Sequence, residues 1–138
     1  MNSFINVPAV VEPTSAVLLN GMNSASRGCW SENGGWLYAP ASSGVFTLRK
    51  PGHYLVAFSA QVTGVAGNAE LTLQVNGVDY PGAQMATTLA AATDVDQLAV
   101  TVEVPVYRAG DSVTVSVRNT GDAAVTINQA NLVIIRLS

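Results

Sequence analysis

His53 is the one histidine of this 138-residue chain and Cys29 its one cysteine. A Ser-His-Asp hydrolase would have to use His53 as its base. That residue follows Pro51-Gly52 at the start of a strand-like run, with no nucleophile motif beside it. A structural histidine at a strand end is the better reading. One His and one Cys cannot close a tetrahedral zinc site within one chain. Asp94-Val95-Asp96 puts two carboxylates in a loop, and oxygen-rich loops suit Ca²⁺. The spacing is far from an EF-hand, and most acidic loops are simply solvated. No carboxylate pair is placed across a cleft, as a glycosidase requires. The expectation is a non-enzyme with no catalytic residue, metal ligand or cofactor.

Trp30, Trp36 and Tyr38 form the one aromatic concentration, with Gly34-Gly35 between the tryptophans. Flat rings in such a loop suit sugar stacking or insertion into a partner surface. The competing use, and the favoured one, is to plug one end of the domain or a subunit seam.

The other informative segment is the C-terminal run Ala124 to Leu137, which is apolar with almost no polar alternation. A strand covered on both faces reads this way; a half-buried one alternates. Leu132, Ile134 and Arg136 share one face, and Val133, Ile135 and Leu137 the other. One core cannot cover both, so a second copy of the chain is the expected cover. Arginine is costly to bury unpaired. The expectation is therefore that Leu132, Ile134 and Arg136 look outward to neighbouring subunits and Val133, Ile135 and Leu137 fill the core.

Composition agrees with an assembled protein. Charged residues make up 11% and apolar types 49%, against about 25% charged in ordinary soluble domains. A monomer so poor in charge would expose apolar patches. Net charge is −3 and the six Lys and Arg are scattered, which excludes a phosphate-tracking stripe and hence nucleic acid. The longest uncharged stretch, Pro51 to Ala69, holds His53, Ser59, Gln61 and Thr63, poor material for a membrane span. Met1-Asn2-Ser3-Phe4 shows no secretory signal.

These residues must be positioned by strands. Val and Thr are abundant and apolar spacing keeps returning to two. Ala16 to Leu19 reads as a short first strand, Trp36 to Tyr38 as another within an ordered loop, and Val45 to Leu48 as a third ending at Pro51-Gly52. His53 to Thr63 follows, with Tyr54, Val56, Phe58, Ala60 and Val62 on one face. Leu71, Leu73 and Val75 alternate up to Asn76-Gly77, a hairpin signal. Leu98 to Val104 and Val113 to Val117 alternate again. Met85 to Thr93 is ambiguous, with loop plus strand fitting better than a helical turn. The fold class is all-β: an antiparallel sandwich or jelly roll of about ten strands. Residues 1–15 form an N-terminal segment, either a docking arm or a first strand, and 16–138 one domain.

The series Val45-Phe46-Thr47-Leu48, then Pro51-Gly52-His53-Tyr54, resembles the signature of the tumour-necrosis-factor-like jelly roll, shared with the globular heads of complement-type proteins. Val75-Asn76-Gly77 with Pro81-Gly82, Gly110-Asp111-Ser112-Val113 and the ending Asn131 to Leu137 resemble the C-terminal domains of bacterial collagen-like spore-surface glycoproteins and related phage virion proteins. The resemblance covers about residues 40 to 138 and implies a ten-stranded sandwich that trimerises through its inner sheet. Two departures matter. The residues before position 40 hold no Gly-X-Y repeat, so a collagen stalk is not expected from them. Asn128-Gln129-Ala130-Asn131 replaces the aromatic-Ser-Gly of the complement-type heads, so their ligand sites are not carried over.

The leading expectation is a homotrimeric, non-enzymatic structural module on a virion surface, a phage head-decoration or fibre-tip protein with capsid or tail proteins as partners. One alternative is a lectin-like module reading a surface glycan or receptor. Another is the trimerising head of a collagen-like protein on a bacterial spore or cell surface.

Overall fold

The computed structural model describes residues 1–19, 21–24, 36–38, 44–108 and 110–138. Eleven strands are found among them: β1 (Asn2–Ile5), β2 (Ala9–Val11), β3 (Gly21–Ser24), β4 (Leu37–Tyr38), β5 (Val45–Leu48), β6 (Gly52–Thr63), β7 (Gly67–Val75), β8 (Val78–Leu89), β9 (Asp96–Val106), β10 (Val113–Asn119) and β11 (Val125–Arg136). They form two antiparallel sheets. The first runs β3-β1-β11-β6-β9, with β2 also paired to β11; the second runs β4-β5-β10-β7-β8. Sequence-adjacent β6 and β7 lie in opposite sheets, as do β8 and β9. This is the crossing pattern of a jelly-roll sandwich.

The period-two pattern explains the layers. Tyr54, Val56, Phe58 and Val62 of β6 face Leu71 and Leu73 of β7, Val115 and Val117 of β10, and Phe46 and Leu48 of β5, all essentially inaccessible to solvent. Each such side chain contributes about 1.5–3 kcal/mol on burial. Asn76-Gly77 makes the expected tight hairpin: both residues have positive φ, 54° and 78°, and Val75 pairs with Val78. The ambiguous stretch from Met85 is strand: β8 runs on to Leu89 opposite Gly67.

Residues 1–15 belong to the sandwich. β1 and β2 pair with successive parts of β11, and Met1 exchanges backbone hydrogen bonds with Ile134 at 3.0 Å. Buried Asn119 locks the segment down: its Nδ2 donates to Val11 O and Ala123 O, each at 2.9 Å. The run 16–19 is not a full strand. Ala16 makes an isolated bridge to Arg118, and Val17 N donates to Val117 O at 2.7 Å.

Candidate functional site

The outward face of the β1-β11-β6-β9 sheet is where the chain has most to offer a partner. On β6, β9 and β11 its outward positions carry one formal carboxylate, Glu103, and that side chain meets His53: Nδ1 and Oε1 are 2.6 Å apart. Everything else at those positions is apolar, small or an uncharged polar group. Neighbouring strands place these residues in rows. Ile135 stands opposite Leu55, and Val133 opposite Ala57. Toward the other end, Asn131 stands opposite Ser59 and Gln129 opposite Gln61, while Gln97 on β9 flanks Gln61 on its other side.

The face therefore has two ends. At the apolar end Ile135 is 45% exposed and Leu137, just past the strand, 55%. At the amide end there is a cleft of about 340 Å³ into which Asn6, Gln61, Gln97, Gln129 and Asn131 bring five side-chain amides, with Phe4 at its side. A register shift in β11 between Ile127 and Gln129 builds it. Such a bulge re-aims a side chain; here it sets Gln129 opposite Gln61 and leaves Asn128 Nδ2 to donate to Gln61 Oε1 at 3.3 Å. The Phe4 ring lies against Gly21, where any Cβ would collide with it.

A family model described as the BclA C-terminal domain matches residues 30–138. The chain belongs to the BclA C-terminal domain family. Among curated proteins no sequence matches. Solved structures share the fold at low identity. The globular domain of zebrafish complement 1qA protein is 12% identical, covering 99% of this chain and 95% of that one, with a TM-score of 0.67. The Eiger TNF of S. frugiperda is 11% identical over 100% and 92%, with a TM-score of 0.71. Murine APRIL is 10% identical over 95% and 96%, with a TM-score of 0.53. The tumour-necrosis-factor-like jelly roll expected from the Pro51-Gly52-His53-Tyr54 series is the fold of this BclA-type domain.

One expectation about the BclA-type domain's last strand is reversed. Leu132 and Ile134 are buried in the domain's own core, at 1% and 0% exposure, while Val133, Ile135 and Leu137 face outward. Arg136 does share the face of Leu132 and Ile134. It lies at the strand's end, where a long side chain can pass the edge of the core and keep its head in water. Its Nη2 donates to Pro51 O at 2.6 Å. The guanidinium also stands by Tyr54, whose phenol is pushed above its ordinary pKa by burial, with Arg136 acting in the opposite direction.

The aromatic trio does not present three rings. Trp36 is 7% exposed and packs on Tyr54, centroids 5.4 Å apart, so it belongs to the core. Tyr38 is partly exposed with the Arg49 guanidinium over its ring at 4.6 Å. Trp30 and Cys29 lie outside the described residues. In the 90–95 loop the acidic side chains serve the turn: Asp94 Oδ2 accepts Ala91 N at 3.0 Å, and Asp96 accepts from Thr87 Oγ1 and from Gln97 N. Those bonds hold the Asp96 carboxyl below its ordinary pKa, the Thr87 hydroxyl first among the causes. No group of three potential metal ligands is found among the described residues. His53 faces Glu103, and Ser138 Oγ meets its backbone N rather than its ring.

Sequence reasoning missed the amide cleft. Its one early signal was the stretch Asn128 to Asn131, where the chain departs from the complement-type pattern.

Proposed function

We propose that this protein is a non-enzymatic structural module that assembles as a homotrimer and is displayed on a particle surface. The observation that carries the reading is the apolar end of the outward sheet face. Leu55, Ala57, Val133 and Ile135 form a continuous uncharged patch on a rigid sheet, and Leu137 extends it. Patches of this kind mark interaction surfaces. In a chain with 11% charged residues, a second copy presenting the same patch is a cover that needs no other gene product, and closed rotational symmetry uses it up completely. The tumour-necrosis-factor-like resemblance supports a three-fold arrangement through this sheet.

Membership of the BclA C-terminal domain family supports a place on a spore or cell surface, as the head of a collagen-like protein. The resemblance to phage virion proteins supports the alternative, a virion decoration or fibre-tip protein held by capsid or tail proteins. Light scattering after size exclusion tests the assembly: three times the mass of one chain is expected, and a monomer at micromolar concentration rejects it. Immunogold labelling of purified spores and of purified virions from the same host separates the two locations.

A further inference from the structure

The β4-β5-β10-β7-β8 sheet, opposite the one assigned to assembly, carries a cleft of its own on its outward side. Arg118 on β10 and Gln74 on β7 point outward there, since their neighbours Val117 and Leu73 point into the core. With Thr14, Asp79 and the buried Asn119 they line a space of about 490 Å³, within the usual range of ligand sites, about 300–1,000 Å³. Among the described residues, no Val, Leu, Ile, Met or aromatic side chain lines it, which suits a small, strongly polar ligand. Its two charged groups, Arg118 and Asp79, are not paired with each other: the one ion pair among the described residues is His53 with Glu103. Arg118 Nη1 donates to Thr14 O at 3.2 Å, and Gln74 Nε2 donates to Asp79 Oδ1 at 2.8 Å. A guanidinium has five donors and a carboxylate two acceptor oxygens, so both groups keep capacity for a ligand. Thr14 has a φ of 70°, an outlier for a β-branched residue. Its N donates to Asn119 O at 2.8 Å, and Asn119 is itself fixed through Val11 O and Ala123 O. Held strain of this kind collects at ligand sites; here the strained residue supplies the carbonyl that holds the Arg118 head.

We propose that this cleft binds a small zwitterion, a free α-amino acid, with its carboxylate on Arg118 and its ammonium on Asp79. A guanidinium with N–H groups to spare takes a carboxylate through charge-assisted bonds, and the remaining Asp79 oxygen takes an N–H donor in the same way. Phosphate would satisfy Arg118 and be repelled by Asp79. A neutral sugar would leave both charges without a counter-charge. Gln74 keeps the two apart: it stands on β7, the strand between β10 and β8, opposite Asp79 in the register, and its amide holds that carboxylate on the β8 side. The cleft and the assembly face lie on opposite sheets, so this proposal does not rest on the trimer.

NMR titration of the ¹⁵N-labelled full chain tests it. The probes are glycine, L-serine and L-glutamine, with acetate, methylammonium and inorganic phosphate as controls that carry one kind of charge each. The expected result is a saturable shift of the Arg118 Nε–H and Gln74 NH₂ signals with at least one amino acid. Each control should bind at least about tenfold more weakly, because it makes only one of the two charged contacts. Asp79→Asn, at an exposed position, should weaken the amino acid by at least about tenfold and leave the melting temperature at the parent's value. Arg118→Gln should weaken it as much; should that variant lose stability with its bond to Thr14 O, Asp79→Asn still decides. Absence of any amino-acid shift at these signals overturns the proposal. Equal binding of acetate or phosphate overturns it too, since Arg118 would then be a general anion contact, as does an Asp79→Asn chain of unchanged affinity. Amino-acid shifts in a parent chain of monomer mass reject the trimer and support the cleft.

Discussion

Two ends of one sheet face, built on the same strands, offer opposite chemistry. At the His53 end, Leu55, Ala57, Val133 and Ile135 give a surface that gains by losing water, in any orientation that covers it. At the Thr63 end, Ser59, Gln61, Gln97, Gln129 and Asn131 give one that gains only when each donor and acceptor is matched. The backbone is nearly the same in both, since β11, β6 and β9 pair continuously through both ends apart from the single bulge. The difference teaches that one continuous strand pairing can carry two kinds of surface along the strand direction. Non-directional burial tolerates any apolar cover, whereas directional amides reward only a cover whose polar groups match them.

The largest effect should come from crossing between faces at the apolar end. Ile134 is wholly buried and Ile135, one residue on, is 45% exposed. Ile134→Asp puts an unpaired carboxylate into the core and should cost more than about 4 kcal/mol, enough to leave the chain unfolded by circular dichroism. Ile135→Asp should leave the fold intact and place three carboxylates together in the trimer, where like charges repel. Light scattering should then show folded monomers at neutral pH and renewed association under acid, as the carboxylates protonate. An unfolded Ile135→Asp chain together with a folded Ile134→Asp chain would reverse the face assignment.

A milder change should convert one end into the likeness of the other. Leu55→Gln exchanges an apolar contact for an amide in the patch, between Ile135 on one side and Glu103 on the other. Losing the burial of a leucine-sized group weakens association by about 1–2 kcal/mol per subunit. The trimer should dissociate at a concentration at least about tenfold higher than the parent, with the melting point of the dissociated chain hardly moved. The converse, Gln97→Leu at the amide end, should change stability by less than about 0.5 kcal/mol, because an exposed outward position has no packing to lose. A Gln97→Leu chain whose melting point falls by many degrees would show that the amides hold the domain together.

Much of this was legible beforehand, and the failures have physical causes. The inward face of β6 was readable because its outward face carries His53, Ser59, Gln61 and Thr63, so apolar and polar residues separate cleanly. In β11 both faces are apolar, and Arg136 was the one polar mark available to break the tie. It pointed the wrong way because a strand-end arginine reaches water past the core, here donating to Pro51 O. The strands at residues 2–11 lack a clear period of two and are held by pairing with a partner more than a hundred residues away. The amide cleft was illegible for a similar reason. Gln61, Gln97 and Gln129 meet only through the β6–β9 and β11–β6 registers, and the bulge that admits Gln129 has no turn residue to announce it.

The smallest expected effect lies at the border of the amide end, where Asp96 precedes Gln97. The Asp96 carboxylate accepts from the Thr87 hydroxyl of the opposite sheet and from Gln97 N. Both bonds favour the charged form, the Thr87 bond more strongly, and together they outweigh the slight desolvation that opposes them. The folded carboxyl is thus more acidic than its unfolded counterpart, whose value is about 3.9. Its contribution to stability is therefore complete above that value and is lost as pH falls through the lower folded one. Thr87→Val removes the first bond and keeps the shape. The Asp96 pKa, read from ¹³C carboxyl shifts in an acid titration, should rise toward the ordinary value. The dependence of stability on pH below about 4 should become shallower, while the Gln97 amide signal keeps its position at neutral pH. If the pKa stays where it was, the Thr87 hydroxyl is not what holds this carboxylate. If the Gln97 signal moves as well, the two sheets are coupled through this contact, and the amide end depends on β8 for its geometry.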